Sequence, residues 1–397
     1  MAGRPPLRNK GGHARRVLSV GGEVELNRRY FWAKGGQGLY PVDEAAGIEL
    51  GSVSPGAREI LTRLGMVEDF ENAAKDARRI GNLPVCRERL RQIVEAEGRA
   101  VTESRNDGTL PAAWSAKDAR IAVGGPTRVY EGTDGVMAPT VTQQEKDKRR
   151  KAHAVRRQQR SAAGVGNAKD LAPARPGSDE GFKEMKIGVF YDQEKTRRHA
   201  FATEADSDAY GPLLGEYARQ IGFEQADQQL SLVDGAKWIA RQVCHVLLTL
   251  HALLLDFYHL SQHVHAAAKC CLGETAAAKQ WVHERLTEIK ELGVAPVLST
   301  IDTLSKRVRS KTKRQSLAGL RNYLTDRLDM LDYRTALANG WDIGSGPTEA
   351  MCKTLTLRLK RCGMKWDRDH AAGMMNLQAM YESGQAATYW DRQRAAA

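Results

Sequence analysis

Lys186-Ile187-Gly188-Val189-Phe190-Tyr191 and, after a turn at Gln193-Glu194, Arg198-His199-Ala200-Phe201-Ala202-Thr203 decide the fold class of this chain. Both are short runs rich in apolar, β-branched and aromatic residues, and they read as two strands. Tyr210, Leu213, Leu214, Tyr217, Ala218 and Ile221 then recur at i, i+3, i+4, i+7, i+8 and i+11. That is an amphipathic helix, and Gly222 stops it. Residues 229–233 read as a strand, 236–247 as a helix, and Ala252-Leu253-Leu254-Leu255 as a buried strand ending at Asp256. Strand, strand, helix, strand, helix, strand is the order of a mixed α/β sheet with covering helices.

Upstream of this stretch, strand character also marks residues 127–137. Residues 140–181 are poor in apolar side chains and carry Lys146-Asp147-Lys148-Arg149-Arg150-Lys151, then Arg156-Arg157 and Arg160. They read as a solvated basic loop with a spacer around Pro173-Ala174-Arg175-Pro176-Gly177. Ser54-Pro55 is a helix N-cap with proline at the first helical position, and Ile60, Leu61 and Leu64 supply an apolar stripe. Helices over 69–80 and 86–97 flank Gly81-Asn82-Leu83-Pro84. They form either a helix-turn-helix that reads DNA or a small structural bundle. Residues 1–20 read as a Gly- and Arg-rich tail, and 23–32 as a strand stopped by Gly35-Gly36-Gln37-Gly38.

Downstream, residues 260–335 read as helical throughout. Trp281, Val282, Leu286 and Ile289 form one stripe, Val297, Leu298, Ile301, Leu304 and Val308 a second, and Leu317, Leu320, Leu324 and Leu328 a third. This all-α insertion carries a second basic run at Lys306, Arg307 and Arg309, and a final helix over 347–361 returns the chain to the α/β unit. The expected domains are a basic tail and short strand region at 1–53, and a helical region with linker at 54–120. The α/β core spans 121–260, the insertion 261–340, and the core resumes at 341–390 with the last helix and the C-terminal part.

At 397 residues the chain has room for two or three domains. Its net charge of +12, with a pI near 9.4, favours a polyanionic partner, since each phosphate contact releases counterions. The six cysteines form no Cys-x-x-Cys pair and no disulfide-like framework, which suits reduced thiols in a cytoplasmic protein. No signal peptide is visible, and the longest greasy stretch, 243–255, is too short and too His-rich to span a bilayer, so no membrane partner is expected.

Three acidic residues stand where a carboxylate could hold a hard cation. Asp134 follows Gly132-Thr133, Asp234 ends Leu230-Ser231-Leu232-Val233, and Glu349 follows Gly344-Ser345-Gly346-Pro347-Thr348. Each also has an ordinary structural reading. Asp134-Gly135 and Asp234-Gly235 are common turn dipeptides, and Glu349 suits the third position of a helix. Together they match the oxygen-ligand demand of Mg²⁺, which takes one or two carboxylates and completes its octahedron with water and phosphate. On the final helix Lys353, Thr356 and Lys360 follow Glu349 on one face, with Arg361 beyond. Lys353 is either a phosphate contact or an i, i+4 partner of Glu349. His259, His263 and His265 cluster in sequence but lack a complementary cysteine pair, so no zinc is expected.

The ordered set Gly132-Thr133-Asp134-Gly135-Val136-Met137, Val233-Asp234-Gly235-Ala236-Lys237-Trp238-Ile239, Leu255-Asp256-Phe257-Tyr258-His259, Ile343-Gly344-Ser345-Gly346-Pro347-Thr348-Glu349 and Arg358-Leu359-Lys360-Arg361-Cys362-Gly363-Met364-Lys365-Trp366 resembles a known family. It is similar to the ISKra-type bacterial insertion-sequence DDE transposases, Mutator-like enzymes with a ribonuclease-H-like core. The resemblance runs from about residue 23 to residue 390.

It implies a ribonuclease-H-like mixed sheet, an all-α insertion before the last catalytic residue, and a small helical N-terminal region over 54–98 that binds element ends. Asp134, Asp234 and Glu349 would be the metal-binding triad for two Mg²⁺ or Mn²⁺ ions, with Asp256 and His259 as auxiliary active-site residues. The implied activity is phosphodiester cleavage at element ends and joining of the 3′-hydroxyl to target DNA. The implied partners are end and target DNA, contacted by Lys148, Arg149, Arg150, Lys151, Lys306, Arg307, Arg309, Lys353, Lys360 and Arg361. At least a dimer on DNA is expected, in a bacterial cytoplasm and on the nucleoid when bound. Family members often carry a Cys-x-x-Cys-Gly knuckle where this chain has Trp32-Ala33-Lys34-Gly35-Gly36, so no knuckle zinc is expected. A non-cleaving DNA-binding regulator and a nuclease on the same core are the rival readings.

Overall fold

The computed structural model describes residues 7–33, 38–48, 52–165 and 175–395. Residues 1–6 of the basic tail, the strand stop at 35–37, the knuckle positions 34–36 and the spacer residues Pro173 and Ala174 lie outside them. In chain order the elements begin with β1 (Arg8–Ser19), β2 (Gly22–Trp32), α1 (Pro41–Ala45), α2 (Pro55–Val67), α3 (Phe70–Arg79), α4 (Arg87–Asn106), β3 (Arg128–Pro139) and α5 (Gln143–Ala162). Next come β4 (Phe182–Asp192), β5 (Arg198–Thr203), α6 (Ser207–Ile221), β6 (Gln228–Val233), α7 (Lys237–Val246) and β7 (Ala252–Leu255). The helices α8 (Phe257–Leu272), α9 (Ala276–Glu291), α10 (Ala295–Arg307), α11 (Lys311–Thr325) and α12 (Tyr333–Ala338) precede α13 (Gly346–Thr356), α14 (Arg368–Glu382) and α15 (Ala386–Ala395).

The chain forms two compact units. The first comprises Met1–Ala113, Val136–Met185 and Thr354–Ala397, and the second Trp114–Gly135 and Lys186–Lys353. The second unit is built on a mixed sheet of order β5-β4-β3-β6-β7, in which β4 and β5 are antiparallel while β3, β6 and β7 run parallel. This is the mixed α/β sheet expected from the 186–255 pattern. Its apolar runs are buried as expected, Ile187, Val189, Phe190, Leu230, Leu232 and Leu255 among them. Phe201 stacks against Tyr210 and Tyr217 of α6 at centroid distances of 5.5 and 4.2 Å. Asp206 caps α6, and Gly222, at φ +66°, ends it in the left-handed conformation that glycine adopts without strain.

Helices α8 to α12 make the region after 257 all-α, with Val282, Ile289, Val297, Ile301, Leu317, Leu320 and Leu324 buried. Leu328 departs from its predicted stripe: α11 ends at Thr325, and Leu328 is 47% exposed.

In the first unit α2, α3 and α4 pack on one another, and α14 packs on α4 through mutually close Gly98 and Gly373. A Cβ at either glycine would crowd the facing backbone, at 3.0 Å from Gly98 and 3.2 Å from Gly373. Residues 354–397, expected beside the catalytic core, therefore complete the N-terminal bundle.

Three further expectations are corrected. Residues 8–19 are not a tail but a strand paired antiparallel with β2, with Arg15 bonded to Asp43 at 2.5 Å and Arg28 bonded to the same carboxylate. The basic segment 140–181 is not a loop over its first half: it forms the 20-residue helix α5, started by a Thr142–Glu145 capping box. The last core helix stops at Thr356 and not near Arg361, because Arg358 leaves it to lie between the Phe70 and Trp366 rings and to donate to the Gly65 carbonyl at 3.0 Å. Lys360 and Arg361 are thus exposed turn residues of the first unit and do not continue the Glu349 face. Among the described residues no helix is long and apolar enough to cross a membrane.

Candidate active site

The site is built at the carboxyl ends of three parallel strands. Glu131 pairs with Ser231 across β3 and β6, and Val233 pairs with Leu255 across β6 and β7. Carrying the same one-to-one register onward sets Asp134 level with Asp234, and Asp234 level with Asp256. Neighbouring strands lie about 4.8 Å apart, so the three aspartates start from one row of the backbone. Ligands of open α/β sheets gather at such strand ends. Asp134 is interior to β3, which outruns β6, whereas Asp234 and Asp256 are each the first residue past their strand.

The three aspartates have different surroundings. Asp134 is half-buried, and its Oδ1 accepts from the Gly135 N–H at 2.6 Å. Its Oδ2 lies 3.5 Å from the buried Cys352 thiol. Burial pushes its carboxyl above the usual aspartate range, and the neighbouring Asp234 charge adds to the shift. The Gly135 and Cys352 donors and the nearby His259 oppose it. Asp234 Oδ1 accepts from the Ala236 N–H at 2.8 Å, which leaves its other oxygen for a ligand.

Asp256 is 1% exposed and fully engaged. Oδ1 caps α8 by accepting from the His259 N–H at 2.7 Å, and Oδ2 accepts from the Ser345 N–H. With Phe257 N–H donating to the Ile343 carbonyl at 2.9 Å, Asp256 ties the segment before α13 to the end of β7. It is a positioning residue for the helix that carries Glu349.

Helix α13 packs on β3 through Thr348, whose hydroxyl fills the space where a Cβ at Gly132 would stand, and through Cys352. Glu349 lies one residue after Thr348 and three before Cys352, beside that contact line. Its side chain is 48% exposed and pairs with Lys353 at 3.8 Å, the i, i+4 partnership open in the sequence. Among the described residues no contact ties Glu349 to Asp134 or Asp234.

Sequence reasoning missed several neighbours. Arg327, just past α11, donates from Nε to the Gly235 carbonyl at 3.0 Å and lies over the Tyr323 ring at 4.1 Å. Tyr323 stacks on His263 at 3.7 Å, and burial, His259 and Arg327 push His263 below its ordinary value. Gly235, at φ +83°, holds a conformation that strains any other residue, and a Cβ there would also displace the Arg327 and Leu255 side chains, 2.6 Å away. Cys352 was legible as a core-facing residue, but nothing in the pattern around Arg327 connects it to Asp234 some ninety residues away.

The residues that would hold a divalent cation fit it in chemical type. Asp134 and Asp234 are hard oxygen donors, the Asp234 charge helps to raise the Asp134 carboxyl, and no lysine or arginine pairs with either among the described residues. The three histidines do not converge: His265 bonds back to the Ser261 carbonyl at 2.8 Å, while His263 stacks on Tyr323.

Elsewhere, Asp367, Asp369 and His370 offer ligand atoms within 4.8 Å of one another. They are already neutralised, by Lys146 on Asp367 at 2.6 Å and Arg175 on Asp369 at 2.9 Å, so they form an ion-pair hub.

Of the basic residues, Lys148, Arg149, Arg150 and Lys151 are exposed on α5 in the first unit. Lys306, Arg307, Arg309 and Lys353 are exposed in the second. Compared with known proteins, the chain matches no family model and no curated protein.

Proposed function

We propose that the chain is a DNA transposase with a ribonuclease-H-like core, cutting at element ends and joining the 3′-hydroxyl to target DNA. The observation that carries this reading is the pair Asp134 and Asp234, level on adjacent parallel strands, the Asp234 charge acting on Asp134, and neither paired with a lysine or arginine among the described residues. A divalent cation there, Mg²⁺ or Mn²⁺, would polarise a phosphate oxygen and make an attacking water or hydroxyl more acidic. Asp134 and Asp234 would hold the cations, and Glu349 would join them from α13 once substrate is bound. Asp256 would keep that helix in place through Ser345, and His259, on the first turn of α8, would offset the carboxylate charge. The exposed lysines and arginines would track the phosphates of end and target DNA. Joining two ends calls for at least two copies on DNA, in the cytoplasm of a bacterium.

The half-exposed position of Glu349 favours a second reading, a DNA-binding regulator that does not cut. One experiment separates the two. Labelled DNA from both flanks of the gene is incubated with the protein and Mn²⁺ or Mg²⁺, beside the Asp234→Asn variant, and resolved on denaturing gels. Metal-dependent nicks at a repeat boundary, lost in Asp234→Asn while DNA affinity holds or rises, are the expected result. Binding without nicks selects the regulator, and nicks that persist in Asp234→Asn remove Asp234 from the site.

A further inference from the structure

We infer that α5 is a duplex-DNA helix, an arm that enters the major groove of B-form DNA. It rests on DNA being the partner proposed above, but not on cleavage.

The helix runs 20 residues, about 30 Å at 1.5 Å per residue, and none of its side chains is buried. From Lys148 to Arg160 it carries seven Lys and Arg and no acid. A helix of this length draws its stability from a packed face, and no side chain of α5 is buried. Its like charges recur at i, i+3 and i+4, as in Lys148 and Lys151, Arg156 and Arg160, or Arg157 and Arg160, and they repel one another. What fixes the helix is its first turn. Thr142 and Glu145 form the capping box, Lys365 pairs with Glu145, and Lys146 pairs with Asp367 at 2.6 Å. The Gln143 N–H donates to the Ser178 carbonyl at 2.9 Å. Both acids of the helix fall in this anchored turn or beside it, Asp147 accepting from Gln143 at 2.9 Å. These anchoring contacts gather at the N-terminal end of the helix, and its charged residues from Lys148 onward are all cationic.

Charge calls for a polyanion, and the composition of the helix selects among polyanions. Single strands are bound on aromatic platforms, and residues 143–162 contain no Phe, Tyr or Trp. Membrane-surface helices need an apolar face, and here Val155 is the only large aliphatic side chain. The major groove of duplex RNA is too deep and narrow for side chains to read. The B-DNA major groove, about 12 Å wide, takes a helix of about 10–12 Å diameter. Phosphates on both walls would relieve the repulsion along α5.

The test measures binding by fluorescence anisotropy over a salt series, in EDTA, with full-length protein carrying Asp234→Asn so that cleavage plays no part. The probes are a mixed-sequence DNA duplex of thirty base pairs, the matching single strand and RNA duplex, and vesicles with anionic lipid. One variant replaces Lys148, Arg149, Arg150, Lys151, Arg156, Arg157 and Arg160 by alanine, which keeps the helix while removing its charge. A second, Ala154→Pro, keeps every charge and breaks the helix.

The expected result is at least tenfold weaker duplex-DNA binding for both variants, and a salt slope shallower by three or more for the alanine variant, at about 0.9 per lost phosphate contact. The unsubstituted helix should prefer duplex DNA to the other three probes. An unchanged slope in the alanine variant, duplex affinity untouched by Ala154→Pro, or binding to RNA, single strand or vesicles as tight as to duplex DNA would each overturn the assignment. Failure of the parent protein to nick its flanking DNA would overturn the transposase reading and leave this result standing.

Discussion

Glu131 precedes Asp134 by three residues on β3 and faces the other side of the sheet. It is completely buried, and its two oxygens accept from the Ser231 and Thr133 hydroxyls, each at 2.5 Å. Thr133 also meets the Tyr210 hydroxyl at 2.6 Å, so a polar network runs beneath the candidate site. Burial raises the Glu131 carboxyl from 4.5 to about 7, against the lowering by both hydroxyls. Because the folded value lies above the unfolded one, its stabilisation is complete below the unfolded value and is lost as pH rises through about 7. Glu131→Gln keeps the size and an acceptor without the charge. It is expected to flatten the stability profile across that window and to raise stability at pH 8 by about 1 kcal/mol or more. Urea midpoints at pH 5 and pH 8 check this, and an unchanged difference between them would show that Glu131 does not titrate there.

The docking of α13 on β3 depends on one missing side chain. A Cβ on Gly132 would overlap the Thr348 hydroxyl, so Gly132→Ala is expected to cost about 1–3 kcal/mol by overpacking. Thr348→Ala removes the obstructing atom, and the double variant should recover part of that loss, giving a non-additive cycle of at least about 0.5 kcal/mol. Chemical denaturation of all four proteins measures it; strict additivity would mean that the two residues do not touch.

The same helix shows how far periodicity reaches. Cys352 and Leu355, three residues apart on α13, are both buried, yet the helix ends before Lys360 because Arg358 has partners far away in sequence. In α5 the departure runs the other way, from expected loop to helix. A run of like charges reads as a loop, and the capping box at Thr142 and Glu145, visible in the residues, is the signal that marks it as a helix start.

The first unit is assembled from three chain segments, the first and last of which meet in buried polar contacts. Arg58 of α2 bonds Glu97 of α4 at 2.7 Å, and Tyr389 of α15 donates to the same carboxylate at 2.8 Å. Both charged residues are about as buried as the aliphatic core, at 2% and 1% exposed. Removing one member strands the other, so Glu97→Ala is expected to cost about 3–5 kcal/mol, and Arg58→Met with Glu97→Leu much less. Denaturant midpoints decide; a loss below 1 kcal/mol for Glu97→Ala would mean that water reaches Arg58.

The alternation of 186–203, the helical period of 210–221 and the run at 252–255 determined an α/β sheet followed by a helical block, because side-chain period follows from backbone geometry alone. Residue type likewise singled out Asp134, Asp234 and Glu349, and the family resemblance added Asp256. Only the tertiary structure decided that Asp134, Asp234 and Asp256 share one row. It also decided that Asp256 is spent on holding α8 and the Glu349 segment, and that residues 354–397 complete the N-terminal bundle. Register between strands, and contacts between residues a hundred or more positions apart, are set by packing and hydrogen bonding across the fold, and no local pattern in the chain encodes them.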